Sequence, residues 1–206
     1  MLLIKSKFKI AKRLGAAIFE KTQSQKFALS EARSAANKKN SRGGRGGSDY
    51  GRQLLEKQRV RFTYGISEKQ LSNYAEVAYT QPDPSTSLHQ ALELRADSVA
   101  YRAGLLPTRR AARQAVSHGH LTINGKRTTV PSHRLRKGDI ISIREGSRQS
   151  PLFAGLSEKK DERARSTPQW LTVDLNLLRA EVLGEPTYNT VETGLDYPTV
   201  FEFYSR

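Results

Sequence analysis

The sequence contains no cysteine in its 206 residues. Disulfides, thiol nucleophiles and cysteine-held zinc are therefore excluded, and the chain suits a reducing compartment. No apolar run approaches the roughly 20 residues that span a bilayer. The opening MLLIKSKFKI is interrupted by lysines too early for a secretory core, so a soluble intracellular protein is expected. Acidic residues are scarce: 20 Asp and Glu stand against 35 Lys and Arg, a net charge of +15. Such an excess repels itself unless a polyanion neutralises it, and nucleic acid or an anionic surface is the expected partner.

Catalytic signatures are missing as well. RGGRGG (residues 42–47) follows no strand-like run and lacks the GK[ST] ending of a phosphate loop. His118, His120 and His133 have no second motif at ligand spacing. The chain is thus read as no enzyme, with no cofactor, no metal, no small-molecule substrate and no membrane partner.

What is present is charge, unevenly placed. Residues 1–47 hold 12 Lys and Arg against two acids (+10), residues 48–157 hold 17 against nine (+8), and residues 158–206 hold six against nine (−3). The first stretch ends in glycine and is expected to be an extended basic arm that orders on a partner, with Arg13, Lys38, Lys39, Arg42 and Arg45 as RNA-contact candidates. The acidic last stretch, with Trp170, Leu171, Val173 and YPTVFEFYSR, is suited to packing on protein.

The spacing predicts a helix over 48–65, with Ser48 or Asp49 as its cap and Gly65 as its stop. A second follows from Ser67, which stands at capping-box spacing from Gln70. QPDPST (81–86) marks a boundary, and a long helix is expected from Ser87, again with Gln90 at box spacing, through to Gly104. Thr108 should cap the next. On that helix, at about 100° per residue, Arg109, Arg110, Arg113, Gln114 and Ser117 share one side and Ala111, Ala112, Ala115 and Val116 the other. The arginines gather at the positive end of the helix dipole, an arrangement that a docked phosphate would favour. Charge reversal at Arg109 and Arg113 together is expected to abolish binding and leave the fold intact. LTINGKRTT (121–129) then reads as a hairpin on Asn124-Gly125, followed by a strand with Ile141 and Ile143 on one face.

RADSVAYRAG (95–104), TRRAARQAVSHG (108–119), LTINGK (121–126) and GDIISIRE (138–145) together resemble the S-four RNA-binding domain. With SDYGRQLLEKQRVRFTYG (48–65) upstream, PQWL (168–171) downstream and the final EFYSR (202–206), the chain resembles the bacterial-type small-subunit ribosomal protein four family. The resemblance implies an α+β protein: a mainly helical lobe from the N-terminal half and the C-terminal tail, with a module of two helices and a small antiparallel sheet inserted between them. The corresponding boundaries are 1–47 arm, 48–86 helical lobe, 87–157 RNA-binding module, and 158–206 completing the lobe.

It further implies a cytoplasmic, ribosome-bound protein, of a bacterial or organellar ribosome, that binds the 5′ domain of small-subunit rRNA at a multi-helix junction early in assembly. The glycine-basic loop would lie where mRNA enters the subunit, with Arg42 and Arg45 beside that channel. The tail would meet the neighbouring small-subunit ribosomal protein five, near the site of decoding accuracy, through Tyr197, Phe201, Phe203 and Tyr204. RNA contacts carried over by the resemblance fall on Tyr50, Arg52, Lys57, Arg59, Arg61, Arg95, Arg102, Thr108, Arg109, Arg113, Gln114, Ser117, His118, Asn124, Gly125 and Lys126. Arg110 and Arg127 join them from the residues alone. Asp97 in RADS faintly resembles the catalytic segment of pseudouridine synthases, which carry a separate catalytic domain that this chain is too short to house. The alternative function is a freestanding RNA-binding assembly or stress factor using the same module; sedimentation with the small subunit through a salt wash separates the two.

Overall fold

The computed structural model describes residues 6–15, 18–39, 48–153 and 167–205, with the backbone alone for residues 35–39. These form two compact units, one running up to Ser85 and resuming at Asn189, the other taking Thr86–Tyr188. The architecture is α+β.

The first unit is helical. Its α1 (Lys7–Leu14) and α2 (Gln25–Lys39) precede α3 (Asp49–Tyr64) and α4 (Glu68–Tyr79). Ser48 Oγ accepts the Gly51 N–H at 3.1 Å to start α3, and Gly65 ends it at a φ of 63°, where a side chain would be strained. The box at α4 is reciprocal: Gln70 N donates to Ser67 Oγ at 3.3 Å and Ser67 N to Gln70 Oε1 at 3.2 Å. Ala11 and Leu14 of α1 are buried, and Arg59 Nε of α3 donates to the Leu14 carbonyl at 2.8 Å. Phe8 meets Phe27 edge-on with centroids 5.3 Å apart, and Phe62 of α3 packs in the same cluster. The described residues between 6 and 39 are therefore folded onto the helical unit, where the sequence suggested an arm awaiting a partner. High net charge masked Phe8, Ile10, Ile18, Phe19 and Phe27, which are enough to seed a small core.

Helix α5 (Pro84–Glu93), which lies in the second unit from Thr86 on, begins at a proline, whose fixed φ suits a first helical turn, and not at Ser87. The single helix expected through Gly104 is broken. Arg95 is extended (φ −67°, ψ 143°) and pairs with Arg134, while Leu135 N donates to Leu94 O and Ala96 N to His133 O, both at 2.8 Å. Those bonds replace helical ones, and the chain re-enters helix as α6 (Ala96–Arg102). In α7 (Arg109–Ser117) Thr108 is the cap, its hydroxyl accepting from Ala111 N at 3.0 Å.

Among the described residues five strands follow: β1 (Leu121–Ile123), β2 (Lys126–Thr128), β3 (Ile140–Ile143), β4 (Leu171–Asp174) and β5 (Arg179–Val182). Their order is β2-β1-β3-β5-β4 and every neighbouring pair is antiparallel. Asn124 and Gly125 turn the β1–β2 hairpin with φ of 50° and 77°, the left-handed pair that matches strand twist. Val99, Leu105, Leu106, Ala112, Ala115, Val116, Leu121, Ile141 and Ile143 belong to one core that α6, α7 and the sheet share. The expectation that residues 158–206 complete the helical lobe is corrected for β4 and β5. Ala180 lies opposite Ile141 in the ladder, and Trp170, Val173 and Leu178 pack on the sheet's core.

Beyond the short α8 (Thr190–Thr193), α9 (Tyr197–Tyr204) belongs to the first unit, capped by Asp196, whose carboxylate accepts from Thr199 N at 3.3 Å. It packs against α3 and α4, with the Tyr197 and Tyr64 hydroxyls 3.3 Å apart.

Candidate nucleic-acid interface

Helix α7 buries Ala112, Ala115 and Val116, the small-residue side that the helical spacing marks. Its opposite side divides. Arg110, Gln114 and Ser117 are exposed, whereas Arg109 and Arg113 bend back over α6. Arg109 Nη2 donates to Glu93 Oε1 at 2.9 Å and Nη1 to Ser98 Oγ at 3.1 Å, and its guanidinium lies 4.7 Å from the centroid of the Tyr101 ring. Arg102 grips the same Glu93 through Nε (2.8 Å) and Nη2 (2.9 Å). Asp97 takes Arg95 through Nε (3.0 Å) and Nη2 (2.9 Å), and Arg113 through Nε (2.8 Å).

Two carboxylates, 1% and 6% exposed, thus hold four guanidiniums. A buried carboxylate must be paired and hydrogen-bonded, so these arginines answer a demand inside the unit. Two expectations change accordingly. Arg95 is 2% exposed and lies within the unit, out of a ligand's direct reach. Reversing Arg109 and Arg113 would set new carboxylates against Glu93 and Asp97, so the fold would not survive intact.

The remaining candidates of this unit sit around the hairpin. His118, Lys126 and Arg127 are exposed, and neither Arg110, Lys126 nor Arg127 has an acidic partner among the described residues. Arg127 Nη2 donates to the His118 carbonyl at 3.2 Å. Asn124 is committed locally: its Nδ2 donates to Asp139 Oδ1 at 2.8 Å and its Oδ1 accepts from Ile140 N at 2.9 Å. Gly125 supplies the turn, and Thr108 the cap.

In the first unit, Arg13 is exposed, and Lys38 and Lys39 close α2. Their side chains, like Arg42 and Arg45, lie outside the described residues. Tyr50 is half-exposed beside Phe203 (centroids 5.7 Å), and Arg52 pairs with Asp49 at 3.3 Å. Lys57 is buried: its ammonium sits 2.7 Å from Glu68 and 4.1 Å over the Phe203 ring, which corrects its reading as an RNA contact. Arg59 serves the Leu14 carbonyl and Glu56, and Arg61 reaches Glu68 at 3.3 Å. Burial alone would raise the Glu68 pKa, but the hydrogen bonds from Lys57, Tyr204 and Arg61 outweigh it and hold it below the usual carboxylate range. Tyr204 is pushed up by burial and by Glu68, and Glu56 by burial. Of the four partner-facing candidates, Tyr197 and Phe201 are core residues at 0% and 9% exposure because α9 buries that side, which corrects their assignment; Phe203 and Tyr204 are partly exposed.

Two family models match the chain, the S4 domain over residues 94–141 and the Ribosomal protein S4/S9 N-terminal domain over residues 3–93. The small ribosomal subunit protein uS4 of Roseiflexus castenholzii is 38% identical over 203 residues, 96% of each chain. Those of Roseiflexus sp. (strain RS-1) and Persephonella marina are 41% and 44% identical over 160 residues, covering 77% of this chain and 78% and 77% of theirs. The chain belongs to the uS4 family. It is a ribosomal protein, structural and not enzymatic.

The uS4 models meet between Glu93 and Leu94, at the point where the chain leaves helix to pair with the 133–135 segment. Sequence reasoning passed over Glu93, and weighed Asp97 only for a faint likeness to a catalytic segment and not as an arginine partner. The available signal was their spacing of four residues with arginines at 95 and 102 around them, which on paper belonged to one continuous helix. Arg134, Arg136 and Lys137 are exposed as well, and sequence reasoning left them out of the candidate surface.

Proposed function

We propose that the chain is a constituent of the small ribosomal subunit that binds small-subunit rRNA, at a multi-helix junction of the 5′ domain and early in assembly. The observation that carries this reading is the placing of Arg110, Lys126 and Arg127 as exposed cations, the first on a helix that packs into the unit's core and the other two on a strand paired to β1 of that core's sheet. Phosphates neutralise such cations and release condensed counterions, so affinity falls steeply with salt; with about eight contacts it drops about 1000-fold between low and moderate ionic strength. Specificity comes from a stiff surface matching folded RNA, with few base-edge contacts. The basic stretch up to residue 47 approaches mRNA where it enters the subunit. Exposed parts of Phe203 and Tyr204 serve contact with ribosomal protein five and, through it, decoding accuracy. The chain works in the compartment of the ribosome it belongs to, cytoplasmic in a bacterium.

Filter binding to a transcribed 5′-domain fragment tests the reading. The triple variant Arg110→Glu, Lys126→Glu, Arg127→Glu should remain folded and lose at least 100-fold in affinity, an order-of-magnitude expectation for three lost phosphate contacts. Unchanged affinity would refute it.

A further inference from the structure

Glu93 and Asp97 are acids buried on the side of the second unit that carries its arginines. Coulomb's law alone makes them a hindrance to a polyanion. Nor does stability explain them, since a buried ion cluster commonly returns no more than apolar packing of similar volume. Their hydrogen bonding points elsewhere. Glu93 Oε1 accepts from both Arg102 and Arg109 at 2.9 Å, and Asp97 Oδ2 from Arg95 at 2.9 Å and Arg113 at 2.8 Å. Each carboxylate is shared between guanidiniums, so the end of α5, α6 and α7 are tied into one register. Four guanidiniums over two carboxylates leave the cluster at +2. Arg102, Arg109 and Arg113 keep 37%, 14% and 15% side-chain exposure, so their edges reach solvent while Arg95 anchors from within.

We propose that Glu93 and Asp97 are positioning residues for RNA: they fix Arg102, Arg109 and Arg113 in one constellation, so that phosphate oxygens meet guanidiniums already ordered. A long flexible cation loses rotamer freedom when it binds, and a held one has lost it beforehand. Tyr101 shares the task by stacking on Arg109. The inference rests on the RNA-binding reading above.

It makes a prediction of opposite sign to simple charge counting. In the full chain, Glu93→Gln removes one negative charge, and counting expects tighter binding to a transcribed 5′-domain rRNA fragment. Positioning expects binding weaker by roughly tenfold, measured on protein shown to be folded by circular dichroism and corrected for its active fraction. Tyr101→Leu leaves every charge in place and should weaken binding about threefold through Arg109 alone. In a background of Arg102→Gln with Arg109→Gln, shown to be folded in the same way, Glu93→Gln should add no further loss of affinity, because the guanidiniums that it positions are gone. Equal or tighter binding by folded Glu93→Gln would overturn the proposal, and if that variant does not fold, wild-type affinity in Tyr101→Leu would do so. Failure of the wild-type chain to bind the fragment at all would instead sink the RNA-binding reading on which it stands.

Discussion

Arg127 occupies the space that a side chain on residue 119 would need. Its guanidinium lies where the Gly119 Cβ would project, and its Nη2 donates to the neighbouring His118 carbonyl at 3.2 Å. Gly119 also has a φ of 72°, in the left-handed region, at the turn between α7 and β1. One residue therefore closes a helix and seats an exposed cation. Gly119→Ala should cost about 1–2 kcal/mol through the backbone, read as a lowered melting temperature. Because an arginine can swing aside, the clash itself adds little to that. What it removes is the seat, so RNA affinity should fall, but by less than in Arg127→Gln, which removes the charge itself, as measured by filter binding at fixed salt.

Two of the arginines of α7, Arg113 and Arg110, should separate cleanly by variant. Arg113→Glu faces Asp97 and leaves that buried carboxylate opposed by another, a loss of about 3–5 kcal/mol, the range for breaking a buried pair. Arg110→Glu, on the exposed side, should stay within about 0.5 kcal/mol of wild type. Urea unfolding of the two variants checks this. If they unfold at the same denaturant concentration, the division of the helix into a held and an open side is wrong.

What the residues disclosed in advance was local. Ser48, Ser67 with Gln70, Thr108 and Asn124-Gly125 act on backbone groups within three residues of themselves, and each does in the structure what its spacing implied. The misread features are those decided by residues far along the chain. Arg95 leaves helix because the 133–135 segment offers its neighbours better hydrogen bonds, and β5 joins β3 across a separation that no window can span. The helical wheel of α7 placed its backbone faces correctly. It could not show that long side chains from the polar face curl toward Glu93 and Asp97 on neighbouring elements. Charge counting likewise could not separate Lys57, closed over by Phe203 and Glu68, from Arg110, which is open.

Glu68 binds three elements of the first unit together. Its oxygens accept from Lys57 Nζ (2.7 Å) and Arg61 Nη1 (3.3 Å) of α3 and from the Tyr204 hydroxyl (2.9 Å) of α9. Its folded pKa is depressed, so its stabilisation is present above the ordinary value of 4.5 and is lost as pH falls through the lower folded value. Tyr204 runs the other way. Its pKa is raised, so its contribution is complete below the ordinary value of 10 and is lost as pH climbs beyond it. Tyr204→Phe should remove the alkaline loss while leaving the acid one. Glu68→Gln should weaken both. Unfolding midpoints at pH 3, 7 and 11, followed by the first unit's helical signal, give the comparison.

His89 supplies a pH response to the second unit in a milder range. It is 4% exposed, with its ring 5.8 Å from that of Tyr188. Burial pushes its pKa below the usual 6.5, and Glu93, which pulls upward, does not compensate. The folded form therefore keeps His89 neutral at a pH where the unfolded chain has already taken up a proton. Its stabilisation is complete above about pH 6.5 and declines as pH falls toward the lower folded value, with a slope of at most about 1.4 kcal/mol per pH unit for one proton. His89→Gln should accordingly flatten the dependence of the second unit's unfolding midpoint between pH 7.5 and 5.5. A variant curve that still fell in parallel with wild type would assign the proton to another group.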